Sequence, residues 1–170
     1  KPTLQSLRKL QEAYEKAGNN FRAAETMELI AELYPASVNF NSIGVLYDNA
    51  GDRNKAIEFY ELALQQSPNN QHAVFNLGTS LKQKNPKLAG ELLSKAYDLD
   101  PSDCPIMREY AKNLESKGNK EEADQLRQKA FDKYMNKWKA NTLRDFEYSW
   151  FSNLADYLGK SSMAKDIGSS

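Results

Sequence analysis

A spacing of 33 residues constrains this chain more than any other feature. The turn-forming dipeptides Gly18-Asn19 and Gly51-Asp52 stand 33 residues apart, and Pro35, Pro68 and Pro101 follow at the same interval. Gly118-Asn119 lies twice that interval plus one residue beyond Gly51, and between them QKNP, Gln83 to Pro86, closes a turn without glycine. Self-similarity at a fixed period of about 20 to 50 residues marks a chain of stacked small units, none of which buries its apolar face alone.

Within each period the apolar residues recur at three and four residues, the spacing of one face of a helix. Phe40, Ile43, Gly44 and Tyr47 make one stripe before Gly51, and Ala56, Phe59, Tyr60 and Ala63 make another after it. The unit reads as helix, turn, helix. Gly44 and Gly78 fall mid-helix, where glycine costs about 1 kcal/mol relative to alanine, and close approach of the partner helix would offset that cost. Ala56, Ala63, Ala89 and Ala96 are small enough to line the same seam, while Pro68 and Pro101 end the second helix of a unit.

The segment FNSIGVLYDNAGDRNKAIEFYELALQQSP, residues 40 to 68, resembles a nearly complete tetratricopeptide repeat: Phe40, Ile43, Gly44, Tyr47, Ala56, Tyr60, Ala63 and Pro68 stand where that family keeps its signature. The next unit repeats it with Val74, Leu77, Gly78, Leu81, Ala89, Leu93, Ala96 and Pro101, one residue short before Ala89. The outer units are atypical, the first with Gln11 in the glycine position and the fourth lacking the closing proline, as end units facing water require. The resemblance implies an all-α solenoid, a right-handed superhelix of four units (4–36, 37–70, 71–103 and 104–139) with a concave groove.

Composition narrows the function. Lys plus Arg and Asp plus Glu each number 23, so no net basic field is available to capture nucleic acid. No apolar run reaches the length of a membrane span. His72 is the single histidine and Cys104 the single thiol, and no HExxH, CxxC, GxSxG or phosphate-binding glycine loop occurs. The sequence therefore predicts no catalytic residues, no cofactor and no metal; the acids of DLDPSD, residues 98 to 103, lack a calcium loop's ligand alternation and read as helix caps. Cys104, at a helix start, reads as a small structural residue, His72 as a groove-rim surface residue, and the row Lys129, Lys133, Lys137 as a solvated face. One cysteine suits a reducing compartment, so the expectation is cytoplasm, with the periplasm also compatible. The start at Lys1 without methionine reads as a fragment or a processed product.

The expected function is a protein-interaction scaffold that takes another protein or peptide segment in its groove. In the family the first helix of each unit lines the groove, and the resemblance nominates Arg8 and Glu12, then Asn41, Val45 and Asn49 with Val38, then Phe75, Asn76, Thr79 and Lys82, then Arg108 and Lys112 with Glu115. Asparagine amides both donate and accept, which suits Asn41 and Asn76 to a ligand's main chain. Arg8, Lys82, Arg108 and Lys112 would meet carboxylates. One subgroup clamps chaperone tails with a Lys, Asn, Asn, Lys, Arg set. Here Asn41 and Val45 fall at its first two positions, Asn76 is kept, and Pro105 and Glu109 fall where the last two basic residues belong, so that ligand is disfavoured.

The alternative is a structural module that stacks on itself, a homo-oligomer, or on the rest of a longer chain. Residues 140–159 are expected to form one capping helix, with Thr142 as cap, Gly159 as stop and Leu143, Phe146, Trp150, Leu154, Tyr157 and Leu158 as its apolar stripe. Tyr148 and Phe151 widen that stripe into a candidate partner surface, and 160–170 read as a loosely held tail.

Overall fold

The computed structural model describes residues 1–168, and among them every regular element is a helix. The chain forms two compact units, residues 1–99 and residues 100–170. The first holds three helix pairs: α1 (Leu4–Lys16) with α2 (Asn20–Leu33), α3 (Phe40–Asn49) with α4 (Arg53–Gln66), and α5 (Gln71–Ser80) with α6 (Pro86–Leu99). A short 3₁₀ turn, Pro35–Ser37, joins the first pair to the second.

One local device makes the hairpins. After the first helix of a pair, a glycine adopts a left-handed conformation (φ +71° at Gly18, +86° at Gly51), which an L-residue takes up only at a cost. The next residue then bonds back into the helix, Asn19 N–H to the Tyr14 carbonyl at 2.8 Å and Asp52 N–H to that of Tyr47 at 2.9 Å. The same residue caps the second helix: Asn19 accepts from the Arg22 N–H and Asp52 from that of Lys55. The third pair dispenses with glycine; Asn85 N–H bonds to the Leu81 carbonyl and Asn85 caps α6 through the Leu88 N–H.

Packing follows from side-chain size. A Cβ on Gly44 would lie 2.6 Å from the Tyr60 ring and 3.1 Å from the Ala56 carbonyl oxygen, so α3 and α4 touch where glycine stands. Tyr47, fully buried, stacks on Phe59 at 5.7 Å and meets Phe21 edge-on at 5.8 Å. Its hydroxyl donates to Glu28 of α2, and Lys55 of α4 bonds both at 2.9 Å, so one polar knot ties the first pair to the second. Burial, and then the Glu28 acceptor, push the Tyr47 hydroxyl up to about 12.

The second unit holds α7 (Cys104–Ser116) with α8 (Lys120–Lys139) and α9 (Asp145–Tyr157) with α10 (Ser161–Gly168). Here the structure departs from the expected lone capping helix and loose tail. Residues 161–168 are helical, Ala164 and Ile167 are buried, and residues 169 and 170 lie outside the described residues. The pair is built on the same plan as the other glycine-closed pairs. Gly159 is left-handed (φ +73°), and Lys160 N–H returns to the Ala155 carbonyl at 2.8 Å, as Asn119 N–H returns to that of Leu114 after Gly118. Five residues beyond each of these four glycines stands a buried alanine: Ala23, Ala56, Ala123, Ala164. Ser152, seven before Gly159 as Gly44 is seven before Gly51, donates to the Ala164 carbonyl at 3.0 Å.

That register corrects the expected stripe of α9. Its buried residues are Glu147, Phe151 and Ala155, whereas Phe146 and Tyr157 are exposed and Leu143, Trp150, Leu154 and Leu158 are half-buried. Phe151 and Ala155 take the positions of Ile43 and Tyr47, because a helix covered by α10 as well as α8 turns the shared side inward. Thr142 does not cap α9; its hydroxyl donates to the Lys137 carbonyl at the end of α8. The cap comes from Glu147, whose carboxylate accepts from the Arg144 N–H at 2.9 Å.

Candidate functional site

In residues 1–99 the nominated groove residues lie on the first helices of the three pairs, except Val38, which precedes α3, and Lys82, which stands in the turn after α5. Arg8 is tied down, its guanidinium donating to the Ser37 carbonyl, and Glu12 is exposed. Asn41 and Asn76 meet each other: Asn76 Nδ2 donates to Asn41 Oδ1 at 3.0 Å across α5 and α3. Val45 and Phe75 are half-buried, the Thr79 hydroxyl donates to the Asn76 carbonyl at 2.9 Å, and Asn49 and Lys82 are exposed. Of the nominated residues in this unit, the structure brings Asn41 and Asn76 into direct contact. The amide pair was not legible beforehand, since spacing puts both residues on a helix face but says nothing of their mutual reach.

In residues 100–168 Arg108 and Lys112 converge on Glu109, each at 3.1 Å from one of its carboxylate oxygens. Glu109 is only 6% exposed. The Arg108 guanidinium also lies 4.0 Å over the Trp150 ring of α9. Arg127 is stacked likewise on Tyr157 at 4.2 Å, but is fully engaged by Glu115, Asp124 and the Tyr157 hydroxyl. Between these stacks opens a cavity of about 410 Å³. Sequence reasoning missed Glu109, Arg127 and the role of Trp150. The three-residue step from Glu109 to Lys112 is a visible ion-pair signal, but the burial of the carboxylate is not.

Other nominated groups have plain structural work. Burial pushes the Cys104 thiol up, and the nearby Lys133 and Lys137 only partly oppose it, so the helix start does not yield a reactive thiolate. Lys133 donates to the Ser102 carbonyl, and Lys137 pairs with buried Glu147 at 2.7 Å. Phe151 is 0% exposed, packed on Phe131, Tyr134 and Trp138 with ring centroids 5.3, 5.9 and 6.2 Å away; it cannot be a partner surface. Tyr148 is half-buried in the same cluster. Among the described residues no three His, Cys, Asp or Glu side chains gather as a metal site requires, and no helix is long and apolar enough to cross a membrane.

Hairpins closed by a glycine, with a buried alanine five residues on and a small residue in the interhelical seam, define a class of helical-repeat scaffold, the all-α solenoids. Within that class the chain carries a tetratricopeptide repeat. Residues 39–70 match the family model described as Tetratricopeptide repeat. The chain is similar to the Photosystem I assembly protein Ycf3 of Acaryochloris marina (strain MBIC 11017), 30% identical over 90 residues, which cover 53% of this chain and 50% of that protein. It thus spans about half the length of that curated relative. Among solved structures, MamA 41-end from Desulfovibrio magneticus RS-1 superposes with a TM-score of 0.69 at 17% identity, covering 97% of this chain and 90% of that one. A second MamA crystal structure gives 0.67 at 16%, covering 96% and 86%. At such identities the likeness is one of fold.

Proposed function

We propose that this chain is a non-catalytic scaffold for protein–protein interaction, and that the first-helix face of residues 1–99 holds an extended segment of a partner. The observation that carries the reading is the Asn41–Asn76 amide pair. Each amide spends one group on the other, which leaves Asn41 Nδ2 as donor and Asn76 Oδ1 as acceptor at neighbouring points of the face, the complement of a peptide unit's carbonyl and N–H. Val45 and Phe75 add apolar contact. The relative is itself an assembly protein, which supports the scaffold class. Support for the non-catalytic reading comes from the sequence, whose single histidine and single thiol fall in none of the common catalytic motifs.

Replacing Asn41 and Asn76 together by alanine is expected to weaken binding of a partner captured by the intact chain by about 1–3 kcal/mol, with unchanged helix content by circular dichroism. Undiminished affinity would remove the amide pair from the site. The second reading, self-association, draws on exposed Phe146 (47%) of α9. Sedimentation at rising concentration separates the two, since an adaptor stays monomeric until its ligand arrives.

A further inference from the structure

We propose that the cavity of residues 100–168 is a second recognition site, taking a peptide in which an Asp or Glu stands next to a bulky apolar residue. This rests on the reading of the chain as a binding scaffold, but on a different set of side chains.

The chemistry is set by Arg108. Its Nε is committed to Glu109 and its flat face to Trp150, so the guanidinium is held in one orientation before any ligand arrives. Among the described residues its two Nη atoms show no acceptor, and their parallel N–H bonds form the fork that a carboxylate accepts bidentately. Lys112 stands one helical turn on, 58% exposed at its side chain. Arg108, Lys112 and Arg127 line the cavity and no carboxylate does, because Glu109, Glu115 and Asp124 pair with them from outside the lining. Around Arg108 and Lys112 two cations share one close carboxylate, Glu109. An anion is therefore the missing complement.

The rest of the lining is mainly apolar and aromatic, with Asn153 as its one further amide. Trp150 and Leu154 of α9 line the cavity together with Ala130 and Tyr134 of α8. At about 410 Å³ the space falls within the range of ligand pockets, about 300 to 1,000 Å³. A peptide carboxylate on Arg108 would carry its neighbouring leucine or aromatic side chain into this lining, where burial adds affinity and the ring of Trp150 shields the ion pair from water.

Peptide-phage selection on the full 170-residue chain, run in parallel on Arg108→Gln and Arg108→Lys, tests this. Selected peptides should share an acidic residue beside Leu, Phe, Tyr or Trp. Synthetic copies should lose about 10- to 100-fold in affinity against Arg108→Gln, the loss of a charge-assisted hydrogen-bonded pair. Arg108→Lys, which keeps the charge but not the fork or the stack, should recover only part of it. Leu154→Ala should weaken the same peptides while leaving the melting temperature within a few degrees. Peptides that bind the chain without an acidic residue, or equally well to Arg108→Gln, overturn the cavity proposal and leave the scaffold reading standing. No enriched peptide at all counts against both. If the intact chain dimerises in sedimentation and Arg108→Gln abolishes it, the occupant is a second copy, and the peptide proposal is overturned.

Discussion

A methyl group at Gly44 would arrive 2.6 Å from two carbons of the Tyr60 ring, and that ring is 1% exposed with nowhere to retreat. At Gly78 the nearest atoms, Leu92 Cβ and Leu93 Cγ, would be 3.2 and 3.3 Å away, a contact that small adjustments relieve. The two glycines hold equivalent positions, yet their alanine variants should diverge. Gly44→Ala is expected to lower stability by about 1–3 kcal/mol through overpacking. Gly78→Ala should stay within about 1 kcal/mol of the parent, because alanine's better helix propensity offsets the tighter fit. Chemical denaturation of the two variants checks both. The need for a small residue at these positions was legible in the sequence. The difference between them was not, since it depends on whether tyrosine or leucine faces the glycine.

At the scale of the element, α9 and α10 teach most. Glu147, 1% exposed, is held by Lys137 of α8, by the Arg144 guanidinium and by the Arg144 backbone N–H. Burial alone would raise its pKa from the ordinary 4.5, but the Arg144 and Lys137 hydrogen bonds prevail and bring it to about 2. A carboxyl depressed on folding stabilises the folded state above its unfolded pKa. That contribution, about 3 kcal/mol, should therefore be present above pH 4.5 and lost as pH falls towards 2. Asp124, lowered by Arg127, acts in the same direction. Urea titrations at pH 6 and pH 3 should show the loss, and Glu147→Gln should begin less stable and lose less. For α10, truncation after Gly159 would uncover Phe151 and Ala155. The shortened chain should bind a hydrophobic dye and melt several degrees lower, against an unchanged melt if 160–170 were a loose tail. The tail was misread because its eight helical residues carry only Ala164 and Ile167 as buried apolar side chains. The register from Gly159 to Ala164 was available as a signal.

For the whole molecule, the repeat and its hairpins were legible because backbone rules write them locally: a left-handed glycine, a capping side chain after it, an alanine where helices close. The candidate sites were legible only as faces. Arg108, Lys112, Asn41 and Asn76 were nominated, but Glu109 and Trp150, which orient the first, and the amide pairing of the last two arise between helices, where sequence distance carries no information.

The recurrent turn also changes how the chain can come apart. Asn19, Asp52, Asn119 and Lys160 each have a backbone N–H bonded back across a left-handed glycine to the first helix of their own pair. Such an amide exchanges its hydrogen with solvent when that hairpin opens, whether or not its neighbours do. In a repeat chain, where stability is a sum of units and interfaces, these four sites make a built-in set of clocks, one to each glycine-closed hairpin, that would time the loosening of four of the five pairs separately.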